Sequence, residues 1–207
     1  MSPYKRTGPP HFIMIDANFV IFDVETTDPH AGAVLGGTPE IIEIGAILVN
    51  RSWQVLNEYS QLIRPKRMDF VTEFTSQLSG LRPEMLEESP TFDEMWKSWA
   101  EFTKYKSFRL FSWGGTDIHQ LRHAYSSIRL GYPHNDMPID IASMVYMWGS
   151  TRGWKPKGLG LASVCKELGI TVQGHHRAMA DAHLALQVLK HIFNSEEEHE
   201  EVQIYAV

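Results

Sequence analysis

The chain has 207 residues, a length for one domain with short extensions rather than two. With 43% hydrophobic and 21% charged residues it is too apolar to be generally disordered, and its single cysteine, Cys165, excludes an internal disulfide or a zinc–cysteine cluster and fits a reducing, cytoplasmic setting. The net charge of −6 excludes a broad basic face as the means of holding nucleic acid, so any such contact must run through local basic patches or metal ions.

Residues 1–16, rich in proline and polar groups, read as a flexible arm without the apolar segment of a secretory signal. Asn18–Val24 (NFVIFDV) is an apolar, β-branched run and predicts a buried strand. Asp28–Thr38, with three glycines and Pro29, reads as a loop. Ile41–Val49 and Val55–Ile63 predict the second and third strands, joined by a hairpin turn at Asn50-Arg51-Ser52. Ile41–Val49 is the longest nearly apolar run, yet Glu43 interrupts it and it falls far short of the roughly 18 residues that cross a bilayer. No membrane association is expected.

Thr72–Gln77 and Pro83–Glu88 are short helical candidates, and Phe92–Tyr105 is a clear one. Phe92, Met95, Trp96, Trp99 and Phe102 form one apolar stripe at helical spacing. Phe108–Trp113 predicts a fourth strand, and Gly114-Gly115-Thr116 then opens a helix from Asp117 to about Arg129. Ile139–Trp148 predicts another helix, Ser150–Gly160 a basic loop, Leu161–Leu168 a helix stopped by Gly169, and Ala178–Phe193 the last long helix. Residues 195–207 read as an acidic tail. Three strands followed by alternating helices and strands predict an α/β fold with a mixed central sheet of about five strands flanked by helices.

Four carboxylates stand out. Asp23 and Glu25 are two apart on a strand and so share a face. They are either exposed acids at a strand end or a pair whose repulsion calls for a cation or proton. Asp117 follows a strand and a glycine turn, where it either caps the next helix or lies where α/β sheets place their sites. Asp181 sits among Ala178, Ala182, Ala185 and Leu189 on a small-residue helix face. Partly buried there, it needs a cation, a salt bridge or a cap to offset its desolvation. His175 and His176 precede it and are ambiguous on their own.

Together these features resemble the DEDDh family of 3′–5′ exonucleases. The motifs are Asp23-Val-Glu25-Thr26-Thr27, then Ser112-Trp113-Gly114-Gly115-Thr116-Asp117, then His176-Arg177-Ala178-Met179-Ala180-Asp181-Ala182. Ile41-Ile-Glu-Ile-Gly45 and Leu78-Ser-Gly-Leu81 are similar to family segments that follow the first motif. The likeness runs from about Asn18 to Phe193, giving an exonuclease domain at 17–194. It is most similar to the histone-mRNA exonuclease type, although polymerase proofreading subunits share the motifs. One departure is Asp28, where the family often has glycine after the two threonines; it bears on the shape of the substrate entrance.

The resemblance implies an RNase H-like fold and hydrolysis from the 3′ end of single-stranded RNA or DNA, RNA being favoured. It implies two Mg²⁺ or Mn²⁺ ions, hard cations suited to oxygen ligands. The ions would lie about 3.5–4 Å apart, held directly by Asp23, Glu25 and Asp181 and through water by Asp117. His176, five residues before Asp181, is the implied general base. Thr26 and Thr27 would contact the terminal nucleotide, and Leu78 either wedges against a base or belongs to the core. Trp113 stacks on a base or is core. Arg64, Lys66 and Arg67, and separately Arg152, Lys155 and Lys157, either track phosphates or are solvated loops. The rival readings are a catalytically idle fold used as a regulator or nucleic-acid-binding module, and a proofreading subunit tied to a polymerase. No protein partner is legible.

Overall fold

The computed structural model describes residues 18–104, 108–133 and 138–197, with side chains described as far as 193. The arm read at 1–16, Tyr105 and the tail beyond 197 lie outside these residues. In chain order the elements are β1 (Asn18–Thr26), α1 (Pro29–Leu35), β2 (Ile41–Val49), β3 (Val55–Leu62), α2 (Glu73–Ser79), α3 (Pro83–Leu86), α4 (Phe92–Phe102), β4 (Phe108–Ser112), α5 (Thr116–Ser127), β5 (Ile139–Asp140), α6 (Ile141–Thr151), α7 (Leu161–Glu167) and α8 (Ala178–Glu197). The five strands lie in the order β3-β2-β1-β4-β5. β1, β2 and β3 pair antiparallel, while β4 and β5 add in parallel to β1. This is the mixed α/β sheet of an RNase H-like fold, as expected.

Alternation along the strands builds two cores. Phe19 and Ile21 of β1, with Ile47 and Val49 of β2, pack under α6, α7 and α8. Val20, Phe22 and Val24, with Ile44, Ala46 and Leu48, face α4 and α5 on the other side. The register decides where the acids go. Asp23 and Glu25 continue the Phe19–Ile21 row, and across the ladder they pair with Gly45 and Glu43. All four positions therefore lie on the α8 side of the sheet. A Cβ on Gly45 would sit 2.2 Å from the Met179 nitrogen and 2.3 Å from the Ala178 carbonyl carbon, so α8 starts with its backbone directly against β2.

Two expectations need correction. Asp28–Thr38 is not a loop throughout but contains the helix α1. The Asp28 carboxylate accepts the His30 N–H at 2.8 Å, Pro29 occupies the first turn, and Gly36 ends the helix with φ 74°. The glycines there punctuate a helix rather than dissolve it. Ile139–Trp148 is also not one helix, because its first two residues form β5 beside Phe111 and Ser112. Asp140 then caps α6 by accepting the Ala142 N–H at 2.9 Å. α8 runs to Glu197, three residues into the stretch read as tail. Among the described residues no helix is long and apolar enough to cross a membrane.

Candidate active site

Three elements deliver carboxylates to one cup at the end of β1. Asp23 and Glu25 come from the strand itself, and Asp181 enters from the first turn of α8. Oxygens of these three lie within 4.8 Å of one another. Asp117, in the first turn of α5, is buried, and among the described residues its Oδ2 has no hydrogen-bond partner. Burial and the charges of Asp117, Asp181, Glu25 and Glu43 hold the Asp23 carboxyl well above its usual range. Glu25 is pushed up to about 8 by burial and then by Asp181, Glu43 and Asp117, against a small opposing pull from Arg177. Burial raises Asp117 to about 7, with Asp181 adding to the rise and backbone N–H groups of its own residue and Val24 opposing it. Acids this crowded and desolvated stay ionised only if cations offset them, and an unpartnered buried oxygen on Asp117 fits that need. The all-oxygen donor set suits Mg²⁺ or Mn²⁺.

The histidines lie on the loop before α8. His175 Nδ1 is 2.7 Å from Asp181 Oδ1, and the His176 backbone N–H donates to Asp181 Oδ2 at 3.2 Å. His176 has φ 68°, in the left-handed region that few non-glycine residues adopt. Its ring lies against that of His175, tilted by 31° with centroids 3.8 Å apart. Burial and the neighbouring His175 lower the His176 pKa despite Asp181, a direction that favours the unprotonated ring a general base needs. His175, His176 and Asp181 also bring ligand atoms within 4.8 Å of one another.

Of the other expected contacts, Thr26 is half-buried at the end of β1. Thr27 is completely buried, and its hydroxyl accepts the Glu40 N–H at 3.0 Å. Its side chain thus holds the chain entering β2 and has no surface for a nucleotide, which corrects that expectation. Leu78 is 42% exposed on α2, which removes the core reading. α2 is tied to the end of the cup strand, since the Thr72 hydroxyl donates to Asp28 Oδ2 at 2.8 Å. Trp113 packs against the α8-side core and donates its indole N–H to the Leu159 carbonyl at 2.7 Å. Arg64, Lys66 and Arg67 line a cleft of about 320 Å³ with Phe70, Gln120 and His123, apart from the cup. There Arg67 is paired with Asp69 at 2.6 Å.

Sequence reasoning missed Glu43, His175 and Arg177 as parts of the site. A signal existed for Glu43: it is the lone carboxylate in a nine-residue strand that is buried throughout, and such a group requires a partner.

A protein family described as exonuclease, of the RNase T type, matches residues 20–189 of this chain. A DNA polymerase III of PolC type from Thermotoga maritima is 30% identical over 175 residues, covering 84% of this chain and 12% of that polymerase. The chain spans about an eighth of the length of such relatives. Among solved structures, the nuclease domain of 3′hExo, a DEDDh family member bound to rAMP, superposes with a TM-score of 0.71 at 19% identity, covering 86% of this chain and 92% of that one. Exonuclease I of E. coli in complex with a dT13 oligonucleotide gives 0.73 at 14% identity, covering 88% and 42%.

Proposed function

This chain belongs to the exonuclease family, and from that premise we propose that it removes nucleotides one at a time from the 3′ end of single-stranded nucleic acid, RNA in preference to DNA. The observation that carries the reading is the convergence of Asp23, Glu25 and Asp181 on one point, with a buried Asp117 oxygen nearby that has no partner among the described residues and His176 at the edge. Asp23, Glu25 and Asp181 would hold two Mg²⁺ or Mn²⁺ ions, with Asp117 engaging one through water. When bound, such ions supply positive charge to the attacking and leaving oxygens of an in-line displacement. His176 takes the proton from the attacking water onto an unprotonated ring nitrogen. The new P–O bond forms as the bond to the 3′ oxygen of the preceding nucleotide breaks. A nucleoside 5′-monophosphate leaves, and the freed 3′ oxygen of the shortened strand takes a proton from solvent water to become a 3′-hydroxyl. Thr26 and the exposed Leu78 hold the terminal nucleotide. The similar nuclease domain that binds rAMP supports RNA. A single, buried Cys165 supports a cytoplasmic setting.

A second reading, a DNA proofreading domain, is favoured by the 30% identity to the PolC-type polymerase. Matched RNA and DNA oligonucleotides labelled at the 5′ end, incubated with Mg²⁺ or Mn²⁺, separate the possibilities. A ladder shortened from the 3′ end, faster on RNA, is expected. Faster cleavage of DNA favours proofreading, and binding without shortening on either polymer, with either ion, leaves a regulator rather than an enzyme.

A further inference from the structure

Glu43 is only 2% exposed, yet it sits beside an acidic cup that gains nothing from another negative charge. Both of its oxygens are already engaged. Arg177 donates Nε to Oε1 and Oε2 at 3.2 and 3.0 Å and Nη2 to Oε1 at 2.7 Å. The Ala178 backbone N–H donates to Oε2 at 3.0 Å. Ala178 is the first residue of α8, and the first turn of a helix has N–H groups without intrahelical partners. Glu43 therefore caps α8 from a neighbouring strand, and its charge is favoured at the positive end of the helix. The planar guanidinium of Arg177 meets the carboxylate as a fork, which fixes direction as well as distance.

The clamp stands between the two groups that matter most. His176 immediately precedes Arg177, and Asp181 follows one turn after Ala178, its own N–H bonded to the Arg177 carbonyl at 2.9 Å. Gly45, next on the same face of β2, lets the backbone of α8 descend onto the strand. Building on the exonuclease reading, we propose that Glu43 and Arg177 are positioning residues, a clamp from β2 that keeps the first turn of α8 over β1 so that Asp181 and His176 meet Asp23 and Glu25. Glu43 is not a further cation ligand, because its oxygens already accept four hydrogen bonds.

The test is steady-state kinetics of Arg177→Ala, Arg177→Lys and Glu43→Gln on the labelled oligonucleotide, with a Mn²⁺ titration of activity and a melting curve for each. Arg177→Ala is expected to lower kcat about 10–100-fold and, because Asp181 shifts with the turn, to raise the half-saturating Mn²⁺ concentration, while KM moves less than about threefold. Arg177→Lys restores part of the loss, since it keeps the charge but not the fork. Glu43→Gln, which keeps an acceptor for Ala178, falls between wild type and Arg177→Ala. Arg177→Lys and Glu43→Gln leave no buried charge unpaired and are expected to fold and to melt higher with Mn²⁺, whereas Arg177→Ala strands the 2% exposed Glu43 carboxylate and is expected to melt lower than either. Wild-type kcat in Arg177→Ala, or a loss of Mn²⁺ affinity in Glu43→Gln with none in Arg177→Ala, overturns the clamp. An inactive wild type instead overturns the functional reading on which it rests.

Discussion

The two helices that bring acids to the cup begin in opposite ways. α5 starts at a bare glycine turn: Gly115 offers no side-chain cap, and the Asp117 carboxylate keeps a buried oxygen without a partner among the described residues. α8 starts under clamp, with Ala178 capped by Glu43, Arg177 forked onto the same carboxylate, and Asp181 bonded to His175 and to the His176 backbone. One acid keeps a single oxygen without a partner among the described residues, and the other is held by both histidines. The contrast teaches that the cup combines a rigid wall on the α8 side with a deficit on the α5 side, and a cation would fill the deficit.

The largest expected effect comes from removing an acid. Asp23→Ala and Asp181→Ala should each lower activity by at least about 10³-fold, but they should part company in melting curves. Without metal, Asp23→Ala should melt at or above wild type, because a buried repelling charge is gone. Asp181→Ala should melt lower, because His175 and His176 lose their acceptor. Equal melting temperatures for the two would erase the contrast between wall and deficit. Next is Gly45→Ala, whose methyl would collide with the backbone of Ala178 and Met179. Overpacking of this kind costs about 3 kcal/mol, a drop of about 6–12 °C for a domain this size, and activity should fall with it. A variant as stable as wild type would mean that α8 does not rest on β2.

How much of this was legible in the sequence differs by element. β1 to β4 declared themselves through apolar, β-branched runs, and the α4 stripe through its spacing. β5 did not, because two residues carry no period. α1 was hidden by its glycines, although Asp28, Pro29 and Gly36 spelled out its start and stop. The four acids were readable from motif and face. Their supports were not, because Glu43 and Arg177 are 134 residues apart and meet only once α8 lies on β2. Thr27 misled for a related reason: its place in the motif suggested a ligand contact, whereas the entry of β2 claimed its hydroxyl.

A smaller effect concerns pH. Glu25 and Asp117 have pKa values raised from 4.5 to about 8 and from 3.8 to about 7, so the folded metal-free protein holds protons that the unfolded chain has released. Their contribution to stability is complete below about pH 4 and is lost as pH rises through 7 to 8. Thermal melts of the metal-free protein from pH 5 to 8 should show this decline, and saturating Mn²⁺ should flatten it, since cations bind the ionised form. A melting temperature that rises over the range without metal contradicts the deficit. Smallest is Leu78→Ala. The side chain is exposed, so the melting temperature should not move, while KM for an oligonucleotide rises about three- to fivefold for roughly 1 kcal/mol of lost apolar contact. An unchanged KM removes Leu78 from the substrate path.

Anomalous diffraction from crystals soaked in Mn²⁺ tests whether Asp23, Glu25, Asp117 and Asp181 form one cation-binding cup. Strong peaks enclosed by the Asp23, Glu25 and Asp181 oxygens, one of them on the Asp117 side, are predicted. A cup without peaks, or manganese held only among His175, His176 and Asp181, would contradict it.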